Sequence, residues 1–344
     1  TKPSLRKVSA KMKLRALLLA TLMIPANAQA KAPPVPMVQP VALNQPALAE
    51  MVKVLSSDEF EGRAPGTAGE QKTVAYLIER FKAAGLQPGN KGSWTQDVPI
   101  VEITANNMAG MAITGGKQTM LFAPGKDFVA GSYRAVDRTA IADAELVFVG
   151  FGINAPELGW NDYAGIDMKG KVAVILVNDA DYETATEEGP FKGRRMTYYG
   201  RWTYKFEEAA RQGARGALIV HDTFPAAYGW NVVESSWTGA QYFVQKPDKG
   251  MDQTEANGWI QKPVAEAILA AAGQDLAKLT DAAKQRGFKA VPLGLKASLN
   301  FDNQLRTAMS KNVIGIQPGK KRPDEYVLYT GHWDHLGRCK ADAK

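Results

Sequence analysis

The stretch Tyr329-Thr330-Gly331-His332-Trp333-Asp334-His335-Leu336-Gly337 gathers two of the three histidines of the 344-residue chain around one aspartate. Successive side chains alternate in direction along an extended backbone, so His332 and Asp334 project to the same side. An aspartate so placed can accept the second ring N–H of a metal-bound histidine, which fixes the tautomer and raises the basicity of the ligating nitrogen. His335 projects the other way and is the weaker ligand candidate. The same pair also fits a histidine at a strand end, capped by a nearby carboxylate with no metal, because one ligand does not make a zinc site. His221 stands alone at the end of another apolar run and is expected to be a core or surface histidine.

Such a cluster needs a strand to present it. Tyr326-Val327-Leu328-Tyr329-Thr330 predicts one, separated by a Pro318-Gly319 turn from a strand over Asn312–Ile316. Polar residues directly after a buried strand stand where open α/β sheets place their sites. Earlier, Lys171–Val177 and Gly216–Val220 are continuous apolar runs of the kind covered on both faces. A helical pattern over Phe206–Gln212 lies between them, which makes a βαβ-like unit. Helices are expected over 47–55, over 68–84 with Gly85 as a stop, and over 260–287. Short strands are expected over Val98–Thr104, Met111–Thr114 and Glu145–Phe151. The loop Ser57–Thr67 is rich in turn formers. Tyr198, Tyr199, Trp202, Tyr204, Phe206, Tyr228, Trp230 and Trp237 crowd one region. They fit either the packing of one layer on another or the wall of a peptide-binding cleft.

The net charge of +7 invites a nucleic-acid reading, but its distribution removes it. Lys2, Arg6, Lys7, Lys11, Lys13 and Arg15 precede the first acidic residue, Glu50, and the rest of the chain carries a balance of only +1. No basic stripe is left for phosphate, and no nucleic-acid partner is expected. Lys13 and Arg15, the apolar run Leu14–Ile24 and the small residues Ala26, Ala28 and Ala30 have the pattern expected of a signal peptide within residues 12–30. The run is too short to span a bilayer comfortably, so no stable membrane association is expected after cleavage. The expected location is the periplasm or the extracellular space. Cys339 is the single cysteine, so no disulfide forms within the chain.

Gly331–Gly337 resembles the first metal-binding motif of the co-catalytic di-zinc aminopeptidases, the clan MH metallopeptidases. Ser57-Asp58-Glu59-Phe60-Glu61-Gly62-Arg63 with Gly66-Thr67-Ala68-Gly69 is similar to the N-terminal segment of that family, and Ala84-Gly85-Leu86 to the end of its first helix. The region from about 140 to 225 resembles a protease-associated domain, through Val147–Gly152, Asn161-Asp162-Tyr163, Lys169–Val172 and the unit from Lys205 to Val220. The resemblance implies an α/β fold: a partial zinc-peptidase catalytic sheet with an inserted α/β protease-associated domain. The implied division is 1–30 upstream residues and signal peptide, 31–46 Pro-rich lead-in, 47–125 first part of the peptidase domain, 126–294 protease-associated domain and linking elements, and 295–344 the start of the resumed catalytic domain.

It further implies a zinc-dependent aminopeptidase acting on peptide substrates with two zinc ions, His332 as a metal ligand and Asp334 as the partner behind it. The family's bridging Asp, its Glu-Glu pair with the general base, a further Asp or Glu and a late His have no counterpart before Lys344, nine residues past His335. The chain as given is therefore expected to be inactive by itself. A different class of function also fits the residues: a non-catalytic exported module that binds peptides or proteins through the protease-associated domain. Export has its own check: N-terminal sequencing of the native protein from the cell envelope is expected to begin at Gln29 or Lys31, and a retained leader would overturn it.

Overall fold

The computed structural model describes residues 42–338. The segment expected to be a signal peptide, residues 31–41 of the expected lead-in and Cys339 lie outside them. The chain divides into two units, Thr1–Glu50 and Met51–Lys344. The described part of the first holds residues 42–44 and the opening of helix α1 (Gln45–Leu55), where the Asn44 side chain accepts from the Ala47 N–H at 3.1 Å. None of the α1 residues is buried.

In the second unit a turn of 3-10 helix (Asp58–Arg63) leads to α2 (Ala68–Ala83), with Thr67 as N-cap. Gly85, at φ 76°, ends that helix as expected from the sequence. A two-residue strand β1 (Gln87–Pro88) precedes the long β2 (Thr95–Asn106), and β3 (Met111–Thr114), β4 (Met120–Phe122), β5 (Phe128–Gly131) and β6 (Arg138–Phe148) follow. The short pair β7 (Asn154–Ala155) and β8 (Trp160–Asn161) leads to β9 (Val172–Leu176), α3 (Trp202–Arg211) and β10 (Gly216–His221). Next come α4 (Thr223–Ala226), α5 (Trp230–Trp237), β11 (Ala240–Val244), β12 (Ala256–Gln261), α6 (Lys262–Ala271) and α7 (Leu276–Ala283). The 23-residue β13 (Val291–Val313) and β14 (Gly315–Ile316) complete the elements.

Ten strands form one mixed sheet in the order β11-β2-β13-β6-β9-β10-β12-β5, with β3 on β13 and β4 on β3. The centre β6-β9-β10-β12 is parallel, and the remaining ladders are antiparallel. The fold is therefore α/β, and its middle is the βαβ unit β9-α3-β10. Every residue of β9 and β10 is buried, which is why their apolar runs do not alternate with polar residues. Val172, Val174 and Leu176 enter one core, and Ala173 and Ile175 the other, so the sheet carries a packed layer on each face. Strands from either side of positions 125 and 294 share this sheet.

Two expectations change. The helix expected over 260–287 gives up its start to β12, whose buried residues pair with β10 and β5, and it breaks at Gly273 with φ 71°. The strand expected over Tyr326–Thr330 does not form: Val327, Leu328 and Tyr329 are 81%, 83% and 94% exposed. Strand propensity reflects fit to a half-buried pleated surface, and no strand among the described residues offers these five a partner. Among the described residues no helix is long and apolar enough to cross a membrane.

The aromatic region is mostly packing. Tyr204 and Phe206 are buried, and Trp237 lies edge-on to Phe206 at 5.7 Å. Between them Lys205 is fully buried, and its Nζ donates to the carbonyls of Phe151 (2.6 Å), Asn178 (2.6 Å) and Tyr199 (2.9 Å). Burial pushes this ammonium down to about 7, while Asp179 and Asp162 favour its charge. Three carbonyls match the three N–H bonds of an ammonium, whereas a neutral amine has only two. Lys205 therefore pins the β6–β7 turn, the end of β9 and the aromatic loop to one point. Burial also pushes Asp179 up to about 7, against the pull of Lys205 and Thr197. Lys205→Met leaves one buried and two part-buried carbonyls unpaired, at ~1–3 kcal/mol for each group that water does not reach. Urea unfolding is expected to show a loss of ~3 kcal/mol or more; an unchanged midpoint would sink this account.

Candidate functional site

The turn before α2 is an unusual piece of backbone. Glu61, Gly62 and Arg63 all have positive φ, at 49°, 66° and 54°. Left-handed backbone costs a non-glycine residue roughly 1–2 kcal/mol, so Glu61 and Arg63 hold it only against compensating contacts. Those contacts come from residues 333–337. The Gly337 N–H donates to Gly62 O at 2.9 Å, and the His335 N–H to Arg63 O at 3.1 Å. In return Arg63 Nε donates to Trp333 O at 3.0 Å, and the rest of its guanidinium reaches Leu55 O. The Trp333 indole N–H donates to Lys311 O near the end of β13, at 2.9 Å.

Residues 333–337 are thus held as a strand would be, but by the loop at Gly62–Arg63 and the end of β13. This brings together the two segments that sequence reading singled out separately. Gly62 and Gly337 meet face to face: a Cβ on Gly62 would lie 2.3 Å from Gly337 O, and a Cβ on Gly337 would lie 2.7 Å from the Ala64 Cβ. Both also have positive φ, so glycine is required twice over at each position.

His332 sits at the outer end of this latch, with its side chain 79% exposed. Its Nδ1 lies 3.0 Å from Asp334 O and 3.3 Å from Asp334 Oδ1, so the main-chain carbonyl is the nearer acceptor. In the tautomer that carries its proton on Nδ1, that N–H donates to Asp334 and Nε2 is left with the lone pair that could hold a metal. His335 contributes its backbone N–H to the latch and leaves its ring exposed. His221 is a core residue, 4% exposed, with Nε2 3.0 Å from Tyr228 O and aromatic rings on several sides.

A zinc ion needs three or four protein ligands. Among the described residues no three His, Cys, Asp or Glu are grouped for a metal. His332 with Asp334 fits the part of one ligand and its orienting partner, and no more of the site is assembled from these residues. A groove of about 710 Å³ lies elsewhere, against β2, β13 and α3, lined by Val101, Tyr133, Glu207, Ala210, Phe243 and Leu305 among others and by none of residues 331–338. The anchoring parts of Arg63 and Trp333 were not foreseen from sequence. The one available signal was the pair of glycines, Gly62 and Gly337, at the two contact points.

No family model and no curated protein matches the chain. Among solved structures, it is similar to an aminopeptidase from Aneurinibacillus sp. strain AM-1, at 21% identity over 79% of this chain and 48% of that one, with a TM-score of 0.36. A peptidase M28 precursor from Shewanella amazonensis SB2B matches at 18% identity over 83% and 53%, with a TM-score of 0.37. A zinc aminopeptidase from Bacillus subtilis matches at 17% over 79% and 46%, with a TM-score of 0.28. The chain spans about half the length of the structures it matches, and at these scores the likeness does not bear on activity. The latch itself is testable: Gly62→Ala is expected to lower amide-exchange protection at His335 and Gly337 by ~10-fold or more while the central strands stay protected. Unchanged protection at these two amides would show that Gly62–Arg63 does not hold the motif.

Proposed function

We propose that this chain is part of an exported zinc-dependent peptidase of the aminopeptidase kind, which releases N-terminal residues from peptides. In this reading His332 is a ligand to one of two zinc ions, and Asp334 holds its ring in the ligating tautomer. Residues 47–125 and 295–344 belong to the peptidase domain and 126–294 to an inserted protease-associated domain, with β2 and β13 as the connection shared by both. The observation that supports it most is the His332–Asp334 pair, its ring exposed, on a segment tied to Gly62–Arg63.

Bound zinc supplies an activated water and polarises the scissile carbonyl. The residues of this chain do the holding. Asp334 keeps the proton on Nδ1, the Trp333–Lys311 and Arg63–Trp333 bonds fix the backbone that carries the ring, and the two glycines let the two segments approach. No proton transfer to substrate is assigned to a residue described here.

A second reading, a non-catalytic module that binds peptides, draws on the apolar groove beside β2, which lies away from His332. The two separate in one experiment on the full-length native protein. Hydrolysis of an N-terminal aminoacyl arylamide is expected to be lost on chelation and restored by zinc. His332→Ala is expected to lower kcat/KM by ~1000-fold, equivalent to ~4 kcal/mol. Peptide binding without hydrolysis, or hydrolysis indifferent to His332→Ala, would overturn the peptidase reading.

A further inference from the structure

Glu70 is an acidic residue only 5% exposed in the first turn of α2. Thr67-Ala68-Gly69-Glu70 has the spacing of a capping box, in which the glutamate would return to the N–H of the N-cap residue. Thr67 plays its half, accepting from the Glu70 N–H at 3.4 Å. The carboxylate is used differently. Oε2 accepts from the Gly66 N–H, while Oε1 accepts from Ser310 Oγ and from the Lys311 N–H, each at 2.9 Å. One carboxylate thereby joins the loop before α2 to the end of β13.

These are the two supports from which the His332 motif hangs. Lys311 gives its N–H to Glu70 and its C=O to the Trp333 indole, and the Gly62–Arg63 end of the loop holds residues 333–337. A buried carboxylate with good hydrogen bonds on both oxygens is a stiff spacer, because releasing either side leaves desolvated polar groups unpaired. We infer that Glu70 is a positioning residue for His332: it sets the spacing between loop and strand and so the place of the imidazole. That it places a metal ligand rests on the peptidase reading; that it places the motif does not.

The test compares Glu70→Gln with Thr73→Val in the full-length protein. Glu70→Gln keeps the size but turns an amide NH2 toward donors on one side of the bridge. Thr73 is fully buried in the same helix, and its hydroxyl bonds only to Gly69 O, at 2.7 Å, so Thr73→Val perturbs α2 without touching the bridge. Amide exchange at Lys311, His335 and Gly337 is expected to quicken by ~10-fold or more in Glu70→Gln, beyond any change in the central strands, and to stay in step with them in Thr73→Val. Zinc affinity, measured by chelator competition, is expected to fall ~10–100-fold in Glu70→Gln alone. Equal amide responses in the two variants would overturn the inference and leave Glu70 a stability residue. Loosened amides in a protein whose zinc binding ignores His332→Ala would uphold the positioning role and sink the metal reading instead.

Discussion

The pairing of β13 with β2 is the constraint on which the rest hangs. Twelve residues of each strand are in register, from Asp302 opposite Asn106 to Val313 opposite Thr95, while the first half of β13 pairs with β6. One strand thus belongs to the packed sheet at one end and to the latched motif at the other. A slip of one residue would turn every side chain to the opposite face. It would also carry the Lys311 N–H and C=O away from Glu70 and Trp333, which meet them from separate elements. The register that builds the core is the same one that aims the site.

Backbone polar groups set the second theme. Away from its ladders the chain still has to pair its buried N–H and C=O groups, and it does so with side chains reaching far along the sequence. Lys205 gathers three carbonyls under the aromatic layer, Glu70 gathers an N–H of the loop before α2 with an N–H and a hydroxyl at the end of β13, and Arg63 and Trp333 bind the main chain around the motif. The two buried clusters differ in sign. Lys205 sits among acceptors with Asp179 and Asp162 near, and Glu70 sits among donors. Each fixes loops that no regular element would hold.

Much of the fold was legible in the residues. The runs at Val172 and Gly216 read as doubly covered strands because they lack polar alternation, and both are wholly buried. Met111–Thr114 and the helix ending at Gly85 were legible for equally local reasons, a short β-type run and a glycine stop. His221 read as a core or surface histidine without a metal role, and the structure buries it. The strand at Tyr326–Thr330 was the opposite case: its composition suits a sheet, but composition supplies no neighbour, and the segment stands exposed. For the candidate site, the types and spacing of His332 and Asp334 were visible, while what holds them was not.

That division has a simple physical origin. Turn chemistry, periodicity and the reach of one side chain to the next but one depend on residues a few positions apart, so the chain specifies directly those elements that local pattern settles, such as β9, β10 and the end of α2, and the spacing of His332 and Asp334. The supports of that pair join Arg63 to Trp333 across 270 positions and Glu70 to Ser310 across 240. A carboxylate or a guanidinium can bond almost any backbone group that comes near. Which one does come near was decided only when β2 and β13 paired and brought the loop before α2 to the segment after β13.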